Sequence, residues 1–159
     1  MTGSFTGGGG FDVKVLLIQG ANMEYLGLRQ PEIYGTTTAS QLDALLRADA
    51  GRLGMTLDIL YTNLEGEAIS AVYRAAHDHV DGLVMNPAGF LYAGYALRDC
   101  LRSVALPYLE VHMSNIDARG MHSVTAGESA GMITGLGVES YRLALRAIHN
   151  LVCGELAAS

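Results

Sequence analysis

The sequence predicts an open α/β fold with a parallel sheet, and three observations predict it. Short aliphatic runs alternate with stretches of helical spacing. Polar residues gather just after the C-terminal ends of those runs. Half of the 159 residues are apolar, enough for one compact domain with a core of its own. Parallel strands need crossovers and crossovers are right-handed, so helices should cover both faces of the sheet.

Val13 to Ile18, Val-Lys-Val-Leu-Leu-Ile, is short, aliphatic and closed by Gly20, as a buried first strand should be. The segment Gln19 to Thr38 is rich in Gly, Pro, Asn and Thr; it is long for a connection from strand to helix, which marks a functional loop. A helix should follow from about Ser40 to Leu53, with Leu42, Leu45 and Leu46 on one face. Met55 to Tyr61 reads as the second strand, and Glu65 to His79 as a helix with Ile69, Val72, Tyr73 and Ala76 at helical spacing. Asp81-Gly82 introduces a third strand, Leu83-Val84-Met85, which ends at Asn86-Pro87. A helix from about Tyr95 to Val104 leads into the buried strand within Leu106 to Asn115. A short strand near Ser123-Val124 and a helical stretch from Ser129 to Val152, interrupted by Gly135 and Gly137, complete the chain. This order makes the fold flavodoxin-like, a five-stranded parallel sheet with helices on both faces. Residues 12–153 would form the single domain, between a Gly-rich flexible tail at 1–11 and a short tail at 154–159.

A net charge of -6, with Lys14 the one lysine, argues against binding the phosphate backbone of nucleic acid or an anionic membrane. No apolar run approaches the length of a membrane span. Cys100 and Cys153 lie far apart without metal spacing, and no secretory signal follows Met1, which fits a reduced cytoplasmic setting. His77, His79 and His149 lack further ligands at metal spacing, so no metal site is expected.

Strand C-termini share one edge of a parallel sheet, so Asn22, Asn63, Glu65, Asn86 and the run Glu110 to Asn115 should converge in a crevice there. Glu110 and His112 are two apart on a strand and point to the same face. They are either an imidazole oriented by a carboxylate for acid–base work or a buried pair that satisfies itself. Ser114 and Asn115 either cap the next segment or hold an anion with backbone N–H groups. Arg29 and Tyr34 share the long loop, where a guanidinium near a phenol favours the tyrosinate and makes it a base. The competing reading is a Pro31 to Gly35 turn whose tyrosine merely covers the core. Gly127-Glu-Ser129-Ala-Gly131 has the outline of a nucleophile elbow but not its strand-turn-helix context, and Ser129 reads as a helix cap.

Three ordered blocks resemble one family. Ile18-Gln-Gly-Ala-Asn22-Met-Glu-Tyr-Leu-Gly27-Leu-Arg29-Gln-Pro-Glu-Ile-Tyr34-Gly35 is similar to the NGPNLNxLGxREPxxYG signature of the type II dehydroquinate dehydratases. Met85-Asn86-Pro-Ala-Gly89 with Ala96-Leu-Arg98-Asp99 resembles their NPGAYTHxSxALRD block, and Glu110-Val-His112-Met-Ser114-Asn115 their EVHxSN block. The resemblance runs from Val13 to about Ile148, including Gly135-Leu-Gly137 and Tyr141. It implies interconversion of 3-dehydroquinate and 3-dehydroshikimate by loss of water, without metal or organic cofactor. By position it implies Tyr34 as base with Arg29 keeping it ionised, Asn22 holding the water at the enolate, and His112, oriented by Glu110, as the acid. Asn86, Met113 and Ser114 would hold the substrate carboxylate. Asp99 matches an aspartate that completes a neighbour's site, which implies a homo-oligomer, a trimer or a dodecamer built of trimers.

The chain also departs from the family pattern. Tyr92 stands where the family has a histidine, and the Ile116 to Ser123 segment is about three residues shorter and lacks an arginine. Both absent residues grip the ring diol of the family's substrate. The departures therefore imply either 3-dehydroquinate held by other groups, with Arg119, Asp117 or Tyr92 as substitutes, or another ring acid that differs on that side. A noncatalytic ligand-binding homologue is the reading from another class.

Overall fold

The computed structural model describes residues 12–155. The tail expected at 1–11 lies outside these residues, as does all of the tail expected at 154–159 except Gly154 and Glu155. Five strands form one sheet: β1 (Val13–Ala21), β2 (Met55–Tyr61), β3 (Gly82–Ala88), β4 (Tyr108–His112) and β5 (Gly131–Thr134). Their order is β2-β1-β3-β4-β5 and each neighbouring pair is parallel. This is the flavodoxin-like order, in which strands are added to one side of β1 and then to the other, so that the switch point lies between β1 and β3.

The helices are α1 (Pro31–Tyr34), α2 (Ala39–Arg52), α3 (Glu65–His77), α4 (Tyr95–Ser103) and α5 (Val138–Val152). Alternation along the strands sorts the core into two layers. Val15, Leu17, Val84, Leu109 and Val111 pack with Leu42 and Leu46 of α2 and with Ala144, Leu145 and Ile148 of α5. Ile18, Leu83, Met85 and Tyr108 pack on the other face with Ala68 and Val72 of α3 and Leu97 and Leu101 of α4. Thr38 and Gln41 start α2 with reciprocal side-chain to backbone bonds, which satisfy two N–H groups that the first turn would leave unpaired.

Three expectations are corrected. Ser123-Val124 is not a strand; the fifth strand is β5, which follows eight residues later in a stretch expected to be helical. Ile133 and Thr134 are β-branched, and Gly135 and Gly137 adopt φ of 92° and 59°, so the chain extends, turns twice and starts its helix only at Val138. Ser129 begins no helix; it closes the 3-10 turn Ala126–Glu128, its backbone N–H and its hydroxyl both donating to the carbonyl of Ala126, the hydroxyl at 2.7 Å. In α3 the buried stripe is Ala68, Ala71, Val72 and Ala75, while Tyr73 and Ala76 face outward. Alanines let α3 lie close to the sheet and to α4, and the large tyrosine is left at the edge.

Candidate active site

A cleft opens at the C-terminal edge of the sheet, lined by residues of the loop after β1, the ends of β3 and β4 and the segment after β4. Close contact between the ends of β1 and β3 forms its floor. A Cβ at Gly20 would sit 2.1 Å from the Pro87 carbonyl oxygen, so only glycine lets the strand ends meet. Beyond that contact Asn22 takes a left-handed conformation, φ 78°, and its backbone N–H donates to Asn63 Oδ1 at 2.8 Å. Across from it Ala88 holds φ at 47°, a backbone state that costs energy for any L residue, and it too lines the cleft.

The loop after β1 supplies the second wall. Its short helix α1 carries Tyr34 in its last turn, and Gly35, at φ 76°, ends it. The Arg29 guanidinium lies 5.5 Å from the centre of the Tyr34 ring, and the Arg119 guanidinium lies 5.6 Å from it. Arg119 alone makes the direct bond, Nη1 donating to the Tyr34 hydroxyl at 3.1 Å and to Ser114 Oγ at 2.8 Å. Arg119 reaches them because the chain doubles back after β4. Ala118 N–H donates to Asn115 Oδ1, and the Met121 and Arg119 N–H groups both donate to the Ile116 carbonyl.

β4 supplies the third wall. His112 Nε2 lies 2.6 Å from Glu110 Oε1, with Glu110 fully buried and His112 4 % exposed. Burial pushes the Glu110 carboxyl up. Hydrogen bonds, that from His112 first and those from Tyr108 and Thr125 with it, outweigh that and hold it below its ordinary value. The carboxylate therefore accepts from Nε2–H, and Nδ1 is the ring nitrogen left for a ligand in the cleft.

Asn86, on the floor, is fixed from both ends of its amide. Its Nδ2 donates to Tyr141 Oη at 2.8 Å and its Oδ1 accepts from Ala88 N–H at 3.0 Å. Tyr141 in turn donates to Gln19 Oε1 at 2.7 Å, so a buried chain of side chains joins α5 to the ends of β1 and β3.

Of the residues expected from sequence, Asn22, Arg29, Tyr34, Asn86, Tyr92 and His112 all line the cleft, with Met113 and Ser114 beside them. Glu110 stands behind His112, away from the opening. Tyr92 sits at the rim, 65 % exposed. Asp99 does not join them; it lies exposed on α4. Asn63 and Glu65 converge on the same edge but act on backbone, Asn63 on Asn22 and Glu65 on the Leu97 N–H that opens α4. Sequence reasoning placed Arg119 only as a substitute for a missing substrate contact, whereas the fold turns it onto Tyr34 and Ser114. It missed Tyr108 and Thr125 behind Glu110, although the alternate spacing of Tyr108, Glu110 and His112 carries that signal. Among the described residues no three His, Cys, Asp or Glu side chains gather as a metal set.

A flavodoxin-like sheet with a buried carboxylate–imidazole pair and a cation-flanked phenol on one cleft defines a protein equipped for acid–base chemistry on a small molecule. Comparison with known proteins makes this specific. The family model for dehydroquinase class II matches residues 13–149. The chain is 44% identical over 137 residues to the 3-dehydroquinate dehydratase of Photobacterium profundum, covering 84% of this chain and 91% of that one. It is 42% identical over 146 residues to the 3-dehydroquinate dehydratase of Anoxybacillus flavithermus, covering 90% and 98%. The crystal structure of type II dehydroquinase from Propionibacterium acnes superposes with a TM-score of 0.83 at 35% identity, covering 88% of this chain and 99% of that one. This chain belongs to the dehydroquinase class II family.

Proposed function

We propose that this protein is a cofactor-free dehydratase that eliminates water from 3-dehydroquinate, or from a closely related carboxylated β-hydroxy ketone, through an enolate. Family membership and the names of its relatives support the reaction class. The observation that carries the reading is that the Arg119–Tyr34 contact and the Glu110–His112 pair open onto the same cleft, one on each wall.

In this reading Tyr34, as phenolate, takes a proton from the carbon next to the ketone. Two guanidiniums flank its ring, so the negative oxygen is held by Arg119 directly and by Arg29 across the ring face. The electron pair moves onto the ketone oxygen as an enolate, with a water held by Asn22 as its hydrogen-bonding partner. When the enolate collapses, the bond from the β carbon to its hydroxyl breaks. His112, carrying a proton on each ring nitrogen for this step, gives that oxygen the Nδ1 proton, water leaves, and the ring is left neutral with its remaining proton at Nε2. Glu110, holding Nε2–H, stabilises the doubly protonated ring and keeps Nδ1 turned to the cleft for that transfer. Asn86, Ser114 and the backbone N–H groups of Met113 and Ser114 take the substrate carboxylate, and Tyr92 closes the outer rim. Arg119, committed to Tyr34 and Ser114, is then part of the base and carboxylate sites rather than a stand-in for the missing arginine.

The reading also has the protein working in the cytoplasm as a trimer or a dodecamer of trimers, with Asp99 of a neighbour completing each site; the exposed position of Asp99 on α4 suits that role. No helix among the described residues is long and apolar enough to cross a membrane. The test is to add 3-dehydroquinate to the purified protein and follow ultraviolet absorbance of the conjugated enone. Turnover is expected. A folded protein that forms no enone from 3-dehydroquinate or from any member of a panel of cyclic hydroxy-keto acids would refute the proposal.

A further inference from the structure

Tyr108, Glu110 and His112 occupy alternate positions of β4, so their side chains leave the sheet on one face and form a row. All three are buried. Glu110 Oε1 is taken by His112 Nε2 at 2.6 Å, and Oε2 accepts two hydroxyls, from Tyr108 at 2.6 Å and from Thr125 at 2.7 Å. Burial and the neighbouring carboxylate push the Tyr108 phenol well above its ordinary range, so it keeps its proton and can only donate here. The Thr125 proton is committed to Glu110. In the 3.1 Å contact between Ser123 Oγ and Thr125 Oγ1 the donor is therefore Ser123. Neither Tyr108 nor Thr125 lines the cleft.

These contacts determine how Glu110 behaves. A carboxylate with one oxygen bound to two hydroxyls cannot swing about its last torsion, and its other oxygen stays aimed at the imidazole. The same two donors stabilise its negative charge, so the proton in the Glu110–His112 contact stays on the ring. We propose that Tyr108 and Thr125 are positioning residues that act through Glu110 to fix the tautomer and orientation of His112. They reach the chemistry only through the carboxylate. The inference rests on the reading of His112 as the proton donor, and it extends that reading to residues outside the cleft.

The experiment pairs nitrogen NMR of the His112 ring in the resting protein with steady-state kinetics, for Tyr108→Phe, Thr125→Val, Thr125→Ser and the Tyr108→Phe/Thr125→Val double variant. The resting wild-type ring should carry its proton at Nε2. The double variant should show a mixture of tautomers, and Thr125→Ser, which keeps the hydroxyl, should match the wild type. Each hydroxyl deletion should lower kcat by on the order of 10-fold with KM nearly unchanged. A melting temperature lowered in the deletions, with the His112 tautomer and kcat both unchanged, would overturn the proposal and leave the hydroxyls as mere partners of a buried charge. The NMR arm needs no substrate, so it decides the positioning role even if 3-dehydroquinate is not turned over. Should Tyr108→Phe fail to fold, Thr125→Val against Thr125→Ser still decides it.

Discussion

Arg119 donates to the hydroxyl of Tyr34 at 3.1 Å, across 85 residues of chain. That contact ties the turn after β4 to the loop after β1, and it gives the phenol oxygen a direct cationic partner that Arg29, stacked 5.5 Å from the ring centre, does not provide.

Removing that partner should harm the reaction more than the fold. Arg119 is exposed, so Arg119→Leu should leave the melting temperature within a degree or two of the wild type. A hydrogen bond to a charged group is worth about 1.5–3 kcal/mol, which corresponds to a loss of about 10- to 150-fold in kcat/KM. Arg119→Lys should recover only part, because the ammonium sits on a different stem and loses the planar guanidinium's place over the Tyr34 ring, 5.6 Å from its centre. Steady-state kinetics of both variants would check this.

Tyr141→Phe should raise KM. The phenol oxygen accepts from Asn86 and donates to Gln19, so its loss leaves two buried amide groups unpaired, at a cost of about 1–3 kcal/mol. Asn86 would then be free to turn away from the cleft. Substrate affinity should fall, while the base and acid, which Tyr141 does not touch, keep their alignment. Chemical denaturation and a substrate titration measure the two effects separately.

Acid should loosen the structure through Glu110. Its carboxyl sits below the ordinary value of 4.5 in the folded protein, so the unfolded chain binds the proton more readily. The stabilisation is complete above that ordinary value and is lost as pH falls through the depressed folded value. Stability measured against pH should therefore decline on the acid side, and Glu110→Gln should flatten that part of the decline.

Gly20→Ala should be severe. The new methyl would lie 2.1 Å from the Pro87 carbonyl oxygen, within backbone that cannot retreat without parting β1 from β3. A cost of about 3 kcal/mol, or about 6–12 °C in melting temperature, is expected, together with loss of the cleft floor. Calorimetry provides the measurement.

Much of this was legible in the sequence because periodicity and strand-end chemistry are local. The runs at Val13, Met55, Leu83 and Leu106 all became strands, and the polar residues after them met at one edge. The Glu110–His112 contact follows directly from two-residue spacing on a strand. The last strand did not show itself. β5 is four residues long, has Gly131 at its start, and owes its conformation to pairing with β4. Arg119 was obscured for a related reason: its direction is set by the turn closed on Asn115 and Ile116, which depends on contacts rather than on composition. The α3 face was misread because large side chains carry the apolar signal, while close packing selected alanines.

Proton exchange tests the two-ended elimination most directly. With 3-dehydroquinate in deuterated water, NMR can follow deuterium entering the carbon next to the ketone separately from formation of the enone. His112→Ala should keep the exchange, which Tyr34 drives, and lose the enone; Tyr34→Phe should lose both. Enone formation that survives in either variant at wild-type rate would contradict the assignment of base and acid to opposite walls of the cleft.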